Sequence, residues 1–414
     1  MHSFTFAAAT IAVSFLTSTV SAAFSAGSSK NVVVYWGQGY DQITLTEVCN
    51  DPSVDVVSIG FVNGFPKNTQ DYPSTNFANA CGPGYYTKPD GTVSGLLSNC
   101  AGIGPGIKTC QANGKKVLLS IGGGAPTDYY LPSVAVAQYF AKFLWGAFGP
   151  QTSAWVDAGK PRPFGDAVVD GFDLDIESFM SPAPNANYQY AYYDAFVNYL
   201  RATAFPTGPS TYYISAAPQC IVPDAHLATA IQNSKFDFIF VQFYNTPQCS
   251  ARAGYNGLSN PSASPFTFKA WVDWLKTNSA NPSVKLYIGL PAGPDGAPSD
   301  HPAYLTPTEA KDLINYYAAT YPTIFGGVML WEATVSVRNE ICGKAYGTYI
   351  KDILNGKAIS TACPTTTSSV VSSTTSTNIA TPTGVSPDGS CGPTNGNTCK
   401  GYAGGECCSI WGYW

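Results

Sequence analysis

Apolar residues in this chain gather into short continuous runs rather than the strict alternation of a half-exposed sheet. Eight runs recur between turn signals: NVVVYW from Asn31, VDVVSIGFV from Val54, KKVLLSIGG from Lys115, VVDGFDLDIE from Val168, TYYISAAP from Thr211, FDFIFVQFYN from Phe236, VKLYIGLPA from Val284 and FGGVMLWE from Phe325. Most are rich in Val, Ile and Leu throughout, as parallel strands covered on both faces must be. Between several of them the pattern turns helical. In NYQYAYYDAFVNYL, Tyr192, Phe196 and Leu200 recur every four residues and predict a core-facing stripe. After the seventh run, Thr306, Pro307 and Glu309 spell a capping box with proline at the first helical position. Eight strands alternating with helices over about 330 residues predict the α/β class and a (β/α)8 TIM barrel, with a doubly wound open sheet as the competitor. No G-x-G-x-x-G follows the first run, which weighs against a nucleotide-binding version of that competitor.

The pattern changes at both ends. The stretch MHSFTFAAATIAVSFLTSTVSAA has an apolar core over Phe4–Leu16 and small residues at Ser21 and Ala22, which predicts a secretory signal over 1–22, although it lacks the usual basic residue in front. A membrane anchor is the alternative, but the run is short for a span of about 20 residues. The barrel is expected over 28–360. From 364 to 387 the chain is Ser/Thr-rich with proline and no aromatics, an extended linker suited to O-glycosylation. Residues 388–414 pack four cysteines, several glycines and clustered aromatics into a small disulfide-rich tail.

Composition narrows the function classes. The 414 residues carry a net charge of −5 and no basic run, so no nucleic-acid footprint is present. Twelve cysteines with no C-x-x-C pair fit an exported, disulfide-bonded chain better than a zinc ribbon or a redox motif. Past the signal only His226 and His301 remain, and both read as surface or helix-end residues. A His-rich metal site or a Ser-His-Asp triad therefore has little to work with, and no metal or cofactor is expected.

The stretch DGFDLDIES at 170–178 stands out, because Asp173, Asp175 and Glu177 share one face of a strand otherwise built from Phe172, Leu174 and Ile176. Neighbouring carboxylates would stand roughly 6–7 Å apart. Like charges that close disfavour one another's ionisation and push at least one pKa upward. Calcium binding and buried ion pairs are the structural alternatives. Calcium prefers loop ligands, and no Lys or Arg lies within the strand. In a barrel, Glu177 falls at the strand's carboxyl end, where active sites are built.

These residues resemble glycoside hydrolase family 18. DGFDLDIE fits its D-x-x-D-x-D-x-E signature, and SIGGG from Ser120 fits its S-x-G-G strand. YWGQ at Tyr35–Gln38, AAPQC at Ala216–Cys220, VQFYN at Val241–Asn245 and LWE at Leu330–Glu332 look like the class III endochitinases of plants and fungi, the hevamine-like group. The resemblance covers about residues 30–355 and implies a secreted endochitinase that cleaves β-1,4-linked N-acetylglucosamine with retention. Glu177 would be the general acid, and the substrate's 2-acetamido oxygen the nucleophile. Asp175 would orient the acetamide, Asp173 would share a proton with Asp175, and Tyr244 would hydrogen-bond the acetamide oxygen.

Carried over as substrate contacts are Trp331, flooring the sugar at the cleavage site, with Gln242, Asn245, Gln38 and Asn76; Phe61 reads equally as a contact or as core. Asp170 is expected to support the acidic row. The resemblance also implies disulfides Cys49–Cys110, Cys81–Cys100 and Cys220–Cys249, leaving Cys342 and Cys363 to close the barrel's end. The tail resembles a hevein-like chitin-binding module, with Ser409, Trp411 and Tyr413 at its sugar-contacting positions. It stops short of that family's remaining cysteines: Cys391 can pair with Cys408, but Cys399 and Cys407 lose their partners, so weak or no chitin binding is expected. The implied partners are chitin and chitooligosaccharides, with no nucleic acid, no membrane and a monomeric chain. A non-catalytic chitin-binding barrel and an endo-β-N-acetylglucosaminidase are the competing functions. Glu177, Asp175 and Tyr244 weigh against the first, the YWGQ and AAPQC strands against the second.

Overall fold

The computed structural model describes residues 24–125, 130–177 and 190–363, with one backbone pairing further on, Gly384–Val385 with Asn397–Thr398. The signal segment, Cys391, Cys399, Cys407, Cys408, Ser409, Trp411 and Tyr413 lie outside the described residues. The chain divides into two units, 1–363 and 364–414. In the first, eight strands form: Asn31–Trp36, Val56–Gly64, Lys116–Gly123, Gly171–Ile176, Tyr213–Ala216, Phe238–Gln242, Lys285–Pro291 and Phe325–Trp331. Each runs parallel to the next. The eighth returns to the first, with Asn31 opposite Gly327 and Val34 opposite Leu330. That closure excludes the open sheet and makes a TIM barrel.

The all-apolar strands follow from this closure. On the first strand Val32, Val34 and Trp36 pack with the outer helices, while Val33 and Tyr35 join a separate cluster inside the barrel. The lumen is filled by Val33, Val56, Leu118, Phe238, Phe240, Tyr287 and Met329, all nearly or fully buried. Polar chemistry is left to the part of the barrel nearer the carboxyl ends of the strands.

The helices obey their local signals. The Thr306–Glu309 capping box opens the helix Pro307–Thr320 as expected. The stripe in NYQYAYYDAFVNYL also forms, but its helix starts at Tyr193. Tyr192 instead sits in a left-handed conformation, φ 68°, ahead of the first turn, while Phe196 and Leu200 are fully buried. Four disulfides join Cys49 to Cys110, Cys81 to Cys100, Cys220 to Cys249 and Cys342 to Cys363. The longest insertion at the mouth lies between the second and third strands. It contributes the short strand Ser74–Thr75, antiparallel to the end of the second strand, and a hairpin of Tyr85–Thr87 with Val93–Leu97. Among the described residues no helix is long and apolar enough to cross a membrane.

Candidate active site

The fourth strand carries the acidic row into the barrel, between the third strand, where Ser120 faces Asp173, and the fifth, where Ser215 does. Asp173 is fully buried, and its carboxylate accepts four hydroxyls from four other strands: Tyr35 Oη at 2.6 Å, Ser58 Oγ at 3.2 Å, Ser120 Oγ at 2.6 Å and Ser215 Oγ at 2.5 Å. Burial pushes its pKa up and the hydroxyl bonds pull it back. Sequence reading missed this cradle. The available signal was a lone serine on the inward face of each of three otherwise apolar runs.

Asp175, one pleat nearer the mouth, accepts Gln242 Nε2 at 2.9 Å and is hydrogen-bonded to Glu177. Its pKa stands well above the usual carboxylate range because of burial first, then the charges of Glu177 and Asp173. The hydrogen bond it makes within the acidic row is to Glu177. The reason is saturation: the four hydroxyls already occupy Asp173. Glu177 lies just past the strand's last residue, its pKa raised by burial and by the Asp224 carboxylate, with hydrogen bonds to Gln242 and Asp175 acting the other way.

Tyr244 follows the sixth strand, buried to 5% exposure. Burial and the nearby charges of Asp175, Glu177 and Asp173 raise its phenol pKa far above the usual value, so it remains a hydrogen-bond donor. Gln242 is also fixed by the Ala217 carbonyl at 3.1 Å, which locks its amide toward the acids. Trp331, at the end of the eighth strand, is half-buried; its ring lies 5.4 Å from Tyr35 and 6.1 Å from Phe61, nearly parallel to the latter. Phe61 itself is 5% exposed and supports the tryptophan as part of the inner cluster. The peptides before Phe61 and after Trp331 are cis.

The remaining expected contacts separate from this centre. Gln38 donates its amide to the carbonyls of Gly60 at 3.0 Å and Asn76 at 2.9 Å, stapling the first loop to the second. Asn76 is exposed, its side-chain oxygen taken by the Ala78 amide. Asn245 is exposed in a left-handed conformation, φ 62°, and accepts Ser299 Oγ at 2.6 Å. Asp170 does not support the acidic row. At the opposite end of the strand it binds Lys116 Nζ at 2.9 Å, Gln111 Nε2 at 2.9 Å and the Val117 amide at 3.0 Å, because its position precedes the inward-facing register. His301 is exposed and bonded to the Pro294 carbonyl, whereas His226 is half-buried beside Ile176 and Asp224. Among the described residues no group of three His, Cys, Asp or Glu is arranged to hold a metal ion.

Such a row, an acid with a raised pKa at the barrel mouth in front of a hydrogen-bonded aspartate, suits proton delivery to a leaving oxygen. The chain is similar to several known proteins. Endochitinase A of Aspergillus niger is 47% identical over 361 residues, which is 87% of this chain and 27% of that protein. Endochitinase A1 of Aspergillus fumigatus is 46% identical over 86% of this chain and 41% of its own length. The chain thus spans less than half of the relatives it matches. Among solved structures, the chitinase ICChI of Ipomoea carnea superposes with a TM-score of 0.59 at 30% identity, covering 78% of this chain and 99% of that one. The xylanase and α-amylase inhibitor protein XAIP-II of Scadoxus multiflorus gives 0.59 at 32%, covering 80% and 99%. The profile described as glycosyl hydrolases family 18 matches residues 31–320, and the chain belongs to that family.

Proposed function

We propose that the protein is a secreted endochitinase that hydrolyses β-1,4-linked N-acetylglucosamine polymers with retention of configuration. The observation that carries this reading is the coupled pair at the mouth, Asp175 hydrogen-bonded to Glu177 with both carboxyls held above their usual pKa. Glu177 gives its proton to the glycosidic oxygen as the bond to the anomeric carbon breaks. The acetamido oxygen of the same sugar attacks that carbon and forms an oxazolinium ion. Asp175 turns from Glu177 to accept the acetamide N–H, and the Tyr244 phenol donates to the acetamide oxygen. Water then adds from the face the leaving group vacated, opposite the acetamide, with the Glu177 carboxylate taking its proton, and the β anomer leaves. Trp331 offers its ring to the apolar face of the sugar at the cleavage site, and Gln38, Asn76 and Asn245 line the approach.

The fold alone would not assign catalysis, since a protein named as an inhibitor shares it at 32% identity. The acid, its coupled partner and the phenol favour the enzyme. The test is hydrolysis of a chitin oligosaccharide by the protein and by Glu177→Gln, with the product anomer followed by proton NMR. β product with activity all but lost in the variant is expected. Initial α product would refute acetamide participation, and binding without hydrolysis would make the chain a lectin-like barrel.

A further inference from the structure

The loop after the fifth strand holds a buried carboxylate that this mechanism leaves without a role. Asp224 is 4% exposed, and its oxygens accept three backbone amides, Gln219 at 3.1 Å, His226 at 2.9 Å and Leu227 at 2.8 Å. Burial raises its pKa first of all, and these bonds act the other way, favouring the charged form. Among the described residues, the cationisable neighbour acting most on it is the His226 imidazole. That ring is itself enclosed. It faces the Ile176 carbonyl, one residue before Glu177, lies 4.3 Å from the Tyr190 ring, and its Nδ1 is buried without a hydrogen-bond partner among the described residues. Gln219, whose amide holds Asp224, forms a bridge with Gln242, and Gln242 holds Asp175. An acidic loop is thereby locked against the acidic strand. Placing a further buried carboxyl beside the Asp175–Glu177 pair costs stability.

We propose that Asp224 is a positioning residue for Glu177: its carboxylate, held by the three loop amides and moderated by the adjoining His226 imidazole, keeps the proton on the acid. The inference rests on the catalytic reading above and deepens it. Among the described residues, the titratable groups facing the pair are Glu177 from the fourth strand, Tyr190 from the segment before the helix Tyr193–Tyr199, and the two loop residues themselves. A carboxylate near Glu177 makes deprotonation harder, so removing its charge lets the acid ionise at lower pH. A cation placed at His226 opposes the same field and acts in the same direction.

The experiment is the pH profile of kcat/KM on a soluble chitin oligosaccharide for Asp224→Asn, Asp224→Ser and His226→Lys. Asn and Ser retain an oxygen that can accept the loop amides, and His226→Lys leaves those bonds in place should both fail to fold. The basic limb is expected to move to lower pH by about half a unit or more, with KM within a few-fold of the parent. A folded Asp224 variant whose basic limb stays in place, or His226→Lys moving it to higher pH, overturns the proposal. Carboxyl-carbon NMR, comparing the protein with Glu177→Gln, gives the Glu177 titration without turnover. An inactive parent whose Glu177 still titrates lower in Asp224→Asn would sink the chitinase reading and leave this one standing; an unmoved titration sinks it.

Discussion

At the scale of single residues, the mouth of this barrel is a place where stability is given up for chemistry. Asp173, Asp175 and Glu177 all have raised pKa values, with burial the leading cause in each. A carboxyl whose folded pKa exceeds its unfolded value binds its proton more tightly in the folded state. Its protonation is therefore neutral to stability below the unfolded pKa, and stability is lost as pH rises from there toward the folded pKa. For Asp175 the loss starts near 3.8, its ordinary value. Asp175→Asn is accordingly expected to abolish hydrolysis yet raise the melting temperature at pH 7. The gain should shrink toward zero near pH 3.5. Melting curves across that range check it, and a variant less stable at pH 7 would contradict the account. Tyr244→Phe removes the donor aimed at the acetamide oxygen. A fall in kcat of about 10²–10³-fold is expected, with KM little changed; a raised KM with kcat unchanged would mean the phenol only binds.

At the scale of elements, the four disulfides tie loops and helices that the barrel's hydrogen bonds do not reach. Cys49–Cys110 joins the helix Leu45–Asn50 to the helix Ile103–Ala112, across 61 residues of chain. Replacing both cysteines by serine is expected to cost about 2–5 kcal/mol, read as a lowered denaturant midpoint with the active site otherwise competent. The helix Pro307–Thr320 offers a pH test of opposite sign. Glu309 caps it and pairs with Arg252 at 2.6 Å, and this pair first of all holds its pKa down at about 2. A depressed carboxylate stabilises above its unfolded pKa, near 4.5, and the contribution is lost as pH falls from there toward 2. The pair is partly exposed, so screening limits the effect to about 1 kcal/mol. Glu309→Gln should therefore lower the melting temperature at pH 6 and match the parent near pH 2. A difference independent of pH would assign the effect to packing instead. The capping box was legible because all its parts are local. The hairpin Tyr85–Thr87 with Val93–Leu97 was not, since its short strands carry too few apolar positions to show a period.

At the scale of the whole molecule, the seam between the first and eighth strands decides whether a row of carboxylates becomes a site. There Gly327 has φ 135°, and a Cβ on it would lie 2.0 Å from the Asn31 carbonyl oxygen. Both conditions demand glycine at this position. Gly327→Ala is expected to leave little folded protein, measured as soluble yield and melting temperature. A variant of parental stability would show that the seam tolerates a side chain.

The strand count, the barrel, the acidic row and its order toward the mouth were all written in the chain, because period and spacing are local properties. So was the family resemblance that named Tyr244, Gln242 and Trp331. The cradle of Tyr35, Ser58, Ser120 and Ser215 around Asp173 was not legible, since its members lie up to 180 residues apart and meet only when the barrel closes. For the same reason the partner of Asp175 and the fastening of Asp224 by three loop amides were decided by tertiary structure alone. A carboxylate's role depends on the donors and charges that surround it, and those arrive from strands the local sequence does not contain.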